Sequence, residues 1–190
     1  ELEKSGCKAF VLCSVESDLM RKKIDELTEK GYPVVLLNND LPGSKRLCFV
    51  GPDYLKSGRV AATMVDKCRQ NTPLKILVVV GYKEHLGHKT RVEGFISELK
   101  ARRNDFEIVD VIEGKDQDII TKQVTMKAFL AHPEINVVYM ATGSGVSGLG
   151  AAIIADAVHQ RFVVACDEIY TTKELVKNDI IDFVICQSPV

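Results

Sequence analysis

Short apolar runs alternate with amphipathic stretches along almost the whole chain. The runs are KAFVLCS (8–14), YPVVLLNN (32–39), LCFVG (47–51), LKILVVVG (74–81), FEIVDVIEG (106–114), INVVYMATG (135–143), RFVVACD (161–167) and IDFVICQ (181–187). They are rich in Val and Ile, and several are apolar on both faces, as strands are in a parallel sheet covered on each side by helices. The stretches between them carry helical spacing. Met20, Ile24 and Leu27 lie at i, i+4 and i+7, and Val92, Phe95, Ile96 and Leu99 repeat the pattern. The spacing likewise predicts that Val60, Met64 and Cys68, and then Ile120, Val124 and Ala128, are the core faces of two further helices. Strand alternating with helix predicts an α/β fold with doubly wound parallel sheets. One irregularity stands out. The loop DLPGSKR (40–46) is too short for a crossover helix, and here the chain is expected to leave one sheet for another.

Composition narrows the class without changing the picture. A chain of 190 residues, 46 % hydrophobic and 27 % charged, makes one ordinary domain or parts of two small ones. A formal net charge of −1 gives no basic excess for nucleic acid, and no apolar run is long enough to span a bilayer. The charged start ELEKSGCK lacks the apolar centre of a signal peptide. None of the six cysteines lies in a C-x-x-C pair, and Cys13, Cys48, Cys166 and Cys186 sit in apolar stretches. They are expected to be buried free thiols, which suits a reducing, cytoplasmic setting.

In parallel α/β sheets, ligands bind beyond the carboxyl ends of the strands. The residues there are Ser14, Asn38–Asn39, Gly81–Tyr82, Thr142–Gly143–Ser144, Asp167 and Gln187, with Arg91 at the start of a helix. Amides, hydroxyls, one carboxylate and one guanidinium suit a small polar ligand. No nucleophile has a paired base, so no catalytic residue is expected. Ser14, Ser144 and Asp167 would also serve as helix caps, Asp167 for a helix near 170–178. GSGVSG (143–148) matches a dinucleotide-binding pattern, with Asp167 ending the next strand, but too few residues follow for an enzyme of that kind. Its glycines equally suit close helix packing. His85 and His88 share one loop without an evident third ligand and are expected to be solvated; neither a metal nor a cofactor is expected.

With these residues in place, the chain resembles the effector domain of lactose-repressor-type transcription regulators, related to ribose-type periplasmic sugar-binding proteins. The resemblance runs from about residue 7 to the end. It rests on GYPVVLLNNDLPG, on FVGPDYLKSGRVAATMV with Asp53 and Gly58, and on LVVVG followed by R-V-E-G-F. VVACDE and VICQSP complete it. It implies a two-lobe fold, with residues 1–50 in lobe one, 51–187 in lobe two and 188–190 beginning the return. It also implies an excerpt of a longer protein, incomplete at both ends. Arg91, Asp167 and Gln187 match ligand-contacting positions of the family. Asn38 stands where an acid is usual and Ser144 where Asn is usual, while Tyr82 is a candidate stacking residue. The partners implied are a small, carbohydrate-like effector and a second copy of the chain, with DNA reached only through a head outside these residues and no membrane. The first reading is therefore a sensor domain of such a regulator. The alternatives are an exported sugar-binding protein of a transporter and a nucleotide-binding enzyme using GSGVSG.

Overall fold

The computed structural model describes residues 5–13 and 15–187; Ser14 and the segment 188–190 lie outside them. All the apolar runs form strands, each trimmed at one or both ends, and the described residues hold eight strands and six helices. The chain divides into two compact units, one of residues 1–53 with 85–87, the other of residues 54–84 with 88–190.

The first unit contains β1 (Phe10–Leu12), α1 (Asp18–Glu29), β2 (Val34–Leu37) and β3 (Cys48–Val50). Its three strands pair in parallel in the order β1-β2-β3. Helix α1 starts where the Ser17 hydroxyl accepts from the Met20 N–H at 3.1 Å. It ends before Gly31, whose positive φ lets the chain turn into β2. Ile24 and Leu27 pack with Phe10, Val34 and Leu36. The structure corrects one expectation here. β3 stays in the same sheet as β2, so the chain does not change sheets at DLPGSKR. That loop supplies its own apolar plug. Leu41 is buried in the unit's core, while Asp40 caps the Leu41 N–H and binds Arg46.

The second unit contains α2 (Tyr54–Cys68), β4 (Leu74–Val80), α3 (Leu86–Arg102) from residue 88 on, β5 (Phe106–Glu113) and α4 (Asp118–Ala131). It continues with β6 (Val137–Met140), α5 (Val146–Ala155), β7 (Phe162–Cys166), α6 (Tyr170–Lys177) and β8 (Phe183–Ile185). Its five strands are parallel, in the order β5-β4-β6-β7-β8. Alternate residues of the central strands feed two cores, as a sheet covered on both faces requires. Ile76, Val78, Tyr139 and Cys166 pack with Ala61, Ala62 and Val65 of α2 and Phe95 and Leu99 of α3. Leu77, Val79, Met140 and Ala165 pack with Ala128 and Phe129 of α4 and Leu149 and Ala152 of α5. No helix among the described residues is long and apolar enough to cross a membrane.

Several expected burials differ. The core face of α2 is Gly58, Ala61, Ala62 and Val65, whereas Val60 and Cys68 are exposed. The reason is close approach. A Cβ on Gly58 would collide with the Arg91 backbone carbonyl and lie 2.8 Å from the Phe95 nitrogen of α3. Small residues thus win the buried face because the helices nearly touch. On α4, Thr121 and Thr125 are buried beside Ala128, while Ile120 and Val124 are only partly so. Of the four cysteines expected inside, only Cys166 is buried. Cys13 and Cys186 lie just past the ends of β1 and β8, and Cys48 is on the edge strand β3. Gly58→Ala is expected to destabilise the protein by about 1–3 kcal/mol, because overpacking against backbone outweighs the helix propensity gained. Urea denaturation measures it, and an unchanged midpoint would mean the helices part without cost.

Candidate functional site

In the second unit, β4 pairs with β5 on one side and β6 on the other. The order of strands reverses there, and such a switch point opens a crevice beyond the carboxyl ends. Arg91 follows β4 across this crevice from the residues that end β6 and β7. Its Nη1 donates to the Ala141 carbonyl at 3.0 Å and to Asp167 Oδ2 at 3.1 Å, and its Nη2 donates to Asp167 Oδ1 at 2.6 Å. The Arg91 side chain is 3 % exposed and that of Asp167 is 24 % exposed. Gln187, just past β8, donates from Nε2 to Asp167 Oδ1 at 2.5 Å. Three of the sequence-predicted residues are therefore one cluster.

The cluster is built on neutral, buried groups. Tyr139 stacks on Phe95 with centroids 4.2 Å apart, and its hydroxyl meets Cys166 Sγ at 3.7 Å. Burial pushes the Tyr139 hydroxyl and the Cys166 thiol above their ordinary pKa values. The buried thiol is therefore protonated at neutral pH and no nucleophile. Burial also works against the Arg91 charge, but the hydrogen bonds and charge of the Asp167 carboxylate favour it, and the Arg91 pKa lies above its ordinary value. The Tyr54 ring of α2 lies 4.9 Å from the guanidinium carbon, a cation–π contact.

Asp167 is held in a left-handed conformation with φ of 72°, a costly state for a non-glycine residue. Its N–H is tied to the Ile185 carbonyl, and its own carbonyl accepts from the Thr172 hydroxyl of α6 at 3.0 Å. A Cβ at Gly143 would lie 2.9 Å from that of Asp167, so this glycine makes room for the acid. Asp167 is not the cap of α6, a position held by Ile169.

The other predicted residues are placed differently. Ser144 is exposed after β6, and its N–H donates to the Thr142 hydroxyl at 3.2 Å. Tyr82 is 45 % exposed after β4. Asn38 belongs to the first unit, in a left-handed turn just after β2. His88, expected to be solvated, is 8 % exposed, and its Nδ1 accepts from the Tyr82 N–H at 3.3 Å. Its place on α3 beside Gly81 buries it, for a Cβ at Gly81 would lie 2.8 Å from the His88 ring. Sequence reasoning passed over Asp116, which accepts from the Thr142 hydroxyl at 3.2 Å beyond the end of β5. The signal was K-D between a strand and a helix; both Lys115 and Asp116 take positive φ. The glycines of GSGVSG have packing roles: Gly145 is the left-handed cap of α5, and a Cβ on Gly148 would strike the Asp118 carbonyl of α4.

These groups can bind hydroxyls. A carboxylate offers roughly four lone-pair sites, and Asp167 uses three on Arg91 and Gln187. One remains for a ligand donor, with Asp116, Ser144 and Tyr82 on the same edge.

A parallel α/β fold with polar groups gathered at the carboxyl edge places a ligand site there and does not by itself fix a chemistry. The sequence matches the periplasmic binding protein domain over residues 2–190, and the chain belongs to that family. None of the curated proteins matches it in sequence. GanP, a glucose-galactose binding protein from Geobacillus stearothermophilus, superposes with a TM-score of 0.87 at 18 % identity, over 95 % of this chain and 64 % of GanP. A solute-binding protein of an ABC transporter from Burkholderia graminis, in complex with D-arabinose, gives 0.87 at 16 %, over 95 % and 63 %. A periplasmic sugar-binding protein from Legionella pneumophila gives 0.85 at 17 %, over 98 % and 69 %. The chain spans less than two thirds of the first two. These likenesses are of fold, and the family is set by the sequence match.

Proposed function

We infer that this chain binds a small carbohydrate at the carboxyl edge of the second unit's sheet, as the sugar-binding component of a transport system. The observation that carries the binding reading is the Arg91–Asp167–Gln187 cluster, which leaves one acceptor site of a fixed carboxylate turned toward solvent. Carboxylates held by arginine accept strongly from hydroxyls, and a neighbouring amide can donate and accept. The transport reading draws on the structural relatives, whose descriptions name sugar-binding components of ABC transporters. It replaces the regulator as the leading role.

The sensor domain of a cytoplasmic, dimeric regulator is the second reading. Six free cysteines favour it, since unpaired thiols suit a reducing compartment. In that case the sugar would have to bind two arrangements of the protein unequally.

Calorimetric titration with glucose, galactose, D-arabinose and tagatose tests the binding. At least one is expected to give saturable heat. Asp167→Asn keeps the shape, removes the charge and weakens the Arg91 pair, and is expected to cost about 1.5–3 kcal/mol of binding. Folded protein with no saturable response to any sugar would sink the reading. Loss of sugar uptake on gene deletion supports transport, whereas normal uptake with altered transcription supports sensing.

A further inference from the structure

Three consecutive residues just past β6 each meet a different charged side chain. The Ala141 carbonyl accepts from Arg91, the Thr142 hydroxyl donates to Asp116 Oδ1 at 3.2 Å, and Gly143 makes room for Asp167. Thr142 is 4 % exposed, and its oxygen also accepts from the Ser144 N–H at 3.2 Å. A hydroxyl has one proton to give, and here it is given to Asp116. Gly81, just past β4, makes the clearance for that carboxylate, since a Cβ there would strike Asp116 Oδ1. In the sheet, β6 lies between β4 and β7. With neighbouring strands ~4.8 Å apart, Asp116 over β4 and Asp167 beyond β7 flank the end of β6, roughly 5 Å to either side.

The two carboxylates differ in what answers their charge. Asp167 receives both Nη groups of Arg91 and the Gln187 amide. Asp116 is exposed and receives the neutral Thr142 hydroxyl, and among the described residues no cation pairs with it. One guanidinium against two carboxylates leaves one net negative charge around the end of β6. Arg91 is not available to offset it for an anionic ligand. Its side chain is 3 % exposed, and both Nη groups are already engaged by Ala141 and Asp167.

We propose that Asp116 sets the charge of the ligand, so that the site prefers an amino sugar to the parent sugar and refuses a sugar acid. The proposal rests on the carbohydrate reading above and narrows it. Asp167 accepts from the hydroxyls, while Asp116 attracts an ammonium on the β4 side of the same ring. A sugar bearing a carboxylate meets the opposite field, with no free cation to hold it. Asp116 acts here through its charge. Its hydrogen bond to Thr142 fixes where that charge stands, and an asparagine would keep that acceptor.

Calorimetric titration of the 190-residue protein with two matched sets tests this: glucose, glucosamine and glucuronate, then galactose, galactosamine and galacturonate. The buffer is slightly acidic, so that the amines are protonated, and ionic strength is constant. In the set that binds, the amino sugar is expected to bind about tenfold more tightly than its parent, and the acid about tenfold more weakly or worse, the scale of one screened charge pair. Asp116→Asn keeps the Thr142 contact and tolerates the left-handed backbone. It is expected to fold normally, to bring amino and parent sugar within about twofold of each other, and to strengthen the acid. An amino sugar bound no better than its parent by the wild type overturns the proposal. So does a preference that persists unchanged in folded Asp116→Asn. In both cases the parent sugar still binds, so the carbohydrate reading stands. No saturable heat from any sugar here or in the panel above removes that reading, and this proposal with it.

Discussion

Arg91→Ala is expected to abolish saturable sugar binding and to lower stability by about 3–5 kcal/mol, the usual cost of removing one partner of a buried ion pair. The variant takes away the hydrogen bonds that Ala141 and Asp167 receive from the guanidinium. Asp167 then keeps its charge in a part-buried place, above a thiol and a phenol that are both neutral. It is free to turn away from the only geometry that presents it to a ligand. The size of the effect separates two accounts of the pair. Desolvating Arg91 and Asp167 is itself costly, so replacing both with neutral residues of like volume, the second one tolerant of a left-handed backbone, should restore most of the lost stability. Arg91→Met with Asp167→Asn is accordingly expected to denature near the wild-type urea midpoint and still bind no sugar. If the double variant were as unstable as Arg91→Ala, the pair would be a net source of stability rather than a device for orienting the acid. Calorimetry and urea denaturation of the same samples give both readings.

Phe95→Ala is the second large effect, about 3–5 kcal/mol of stability, the range for a fully buried phenylalanine. Phe95 is completely buried, stacks on Tyr139 and sits where α2 and α3 approach most closely. The Gly58 contact holds the two helix backbones together, so the cavity cannot be closed by moving α2 further inward. Phe95→Leu keeps most of the volume and should cost well under half as much. Because Phe95 is one helical turn from Arg91 on the same helix, sugar affinity should also fall in Phe95→Ala. Stability lost with affinity unchanged would show that Tyr139 holds the floor of the site alone.

The strands were legible because parallel strands buried on both faces are continuous apolar runs, and β4, β6 and β7 are nearly solvent-free. The face of α2 was not, since hydrophobic spacing weights Val60 and Met64 above Gly58 and Ala61, and only the distance to α3 reverses that order. The change of sheet was misplaced for a related reason. A single buried leucine, Leu41, did the work expected of a helix. In the site, Asp167 and Gln187 could be named as strand-end residues and Arg91 as a residue early in a helix, but their pairing spans most of the second unit. Asp116 was missed because its place depends on two successive left-handed residues, which composition does not reveal.

The long span between the partners also orders events in time. Ala141 follows Arg91 by 50 residues and Asp167 by 76. At ~5–20 residues per second, a growing chain holds Arg91 for roughly 4–15 s before its carboxylate exists. Until then, closing β4 against β6 would bury a cation without its counter-ion. The second unit is thus built to finish late, with the arginine acting as a latch that engages after β7 is made.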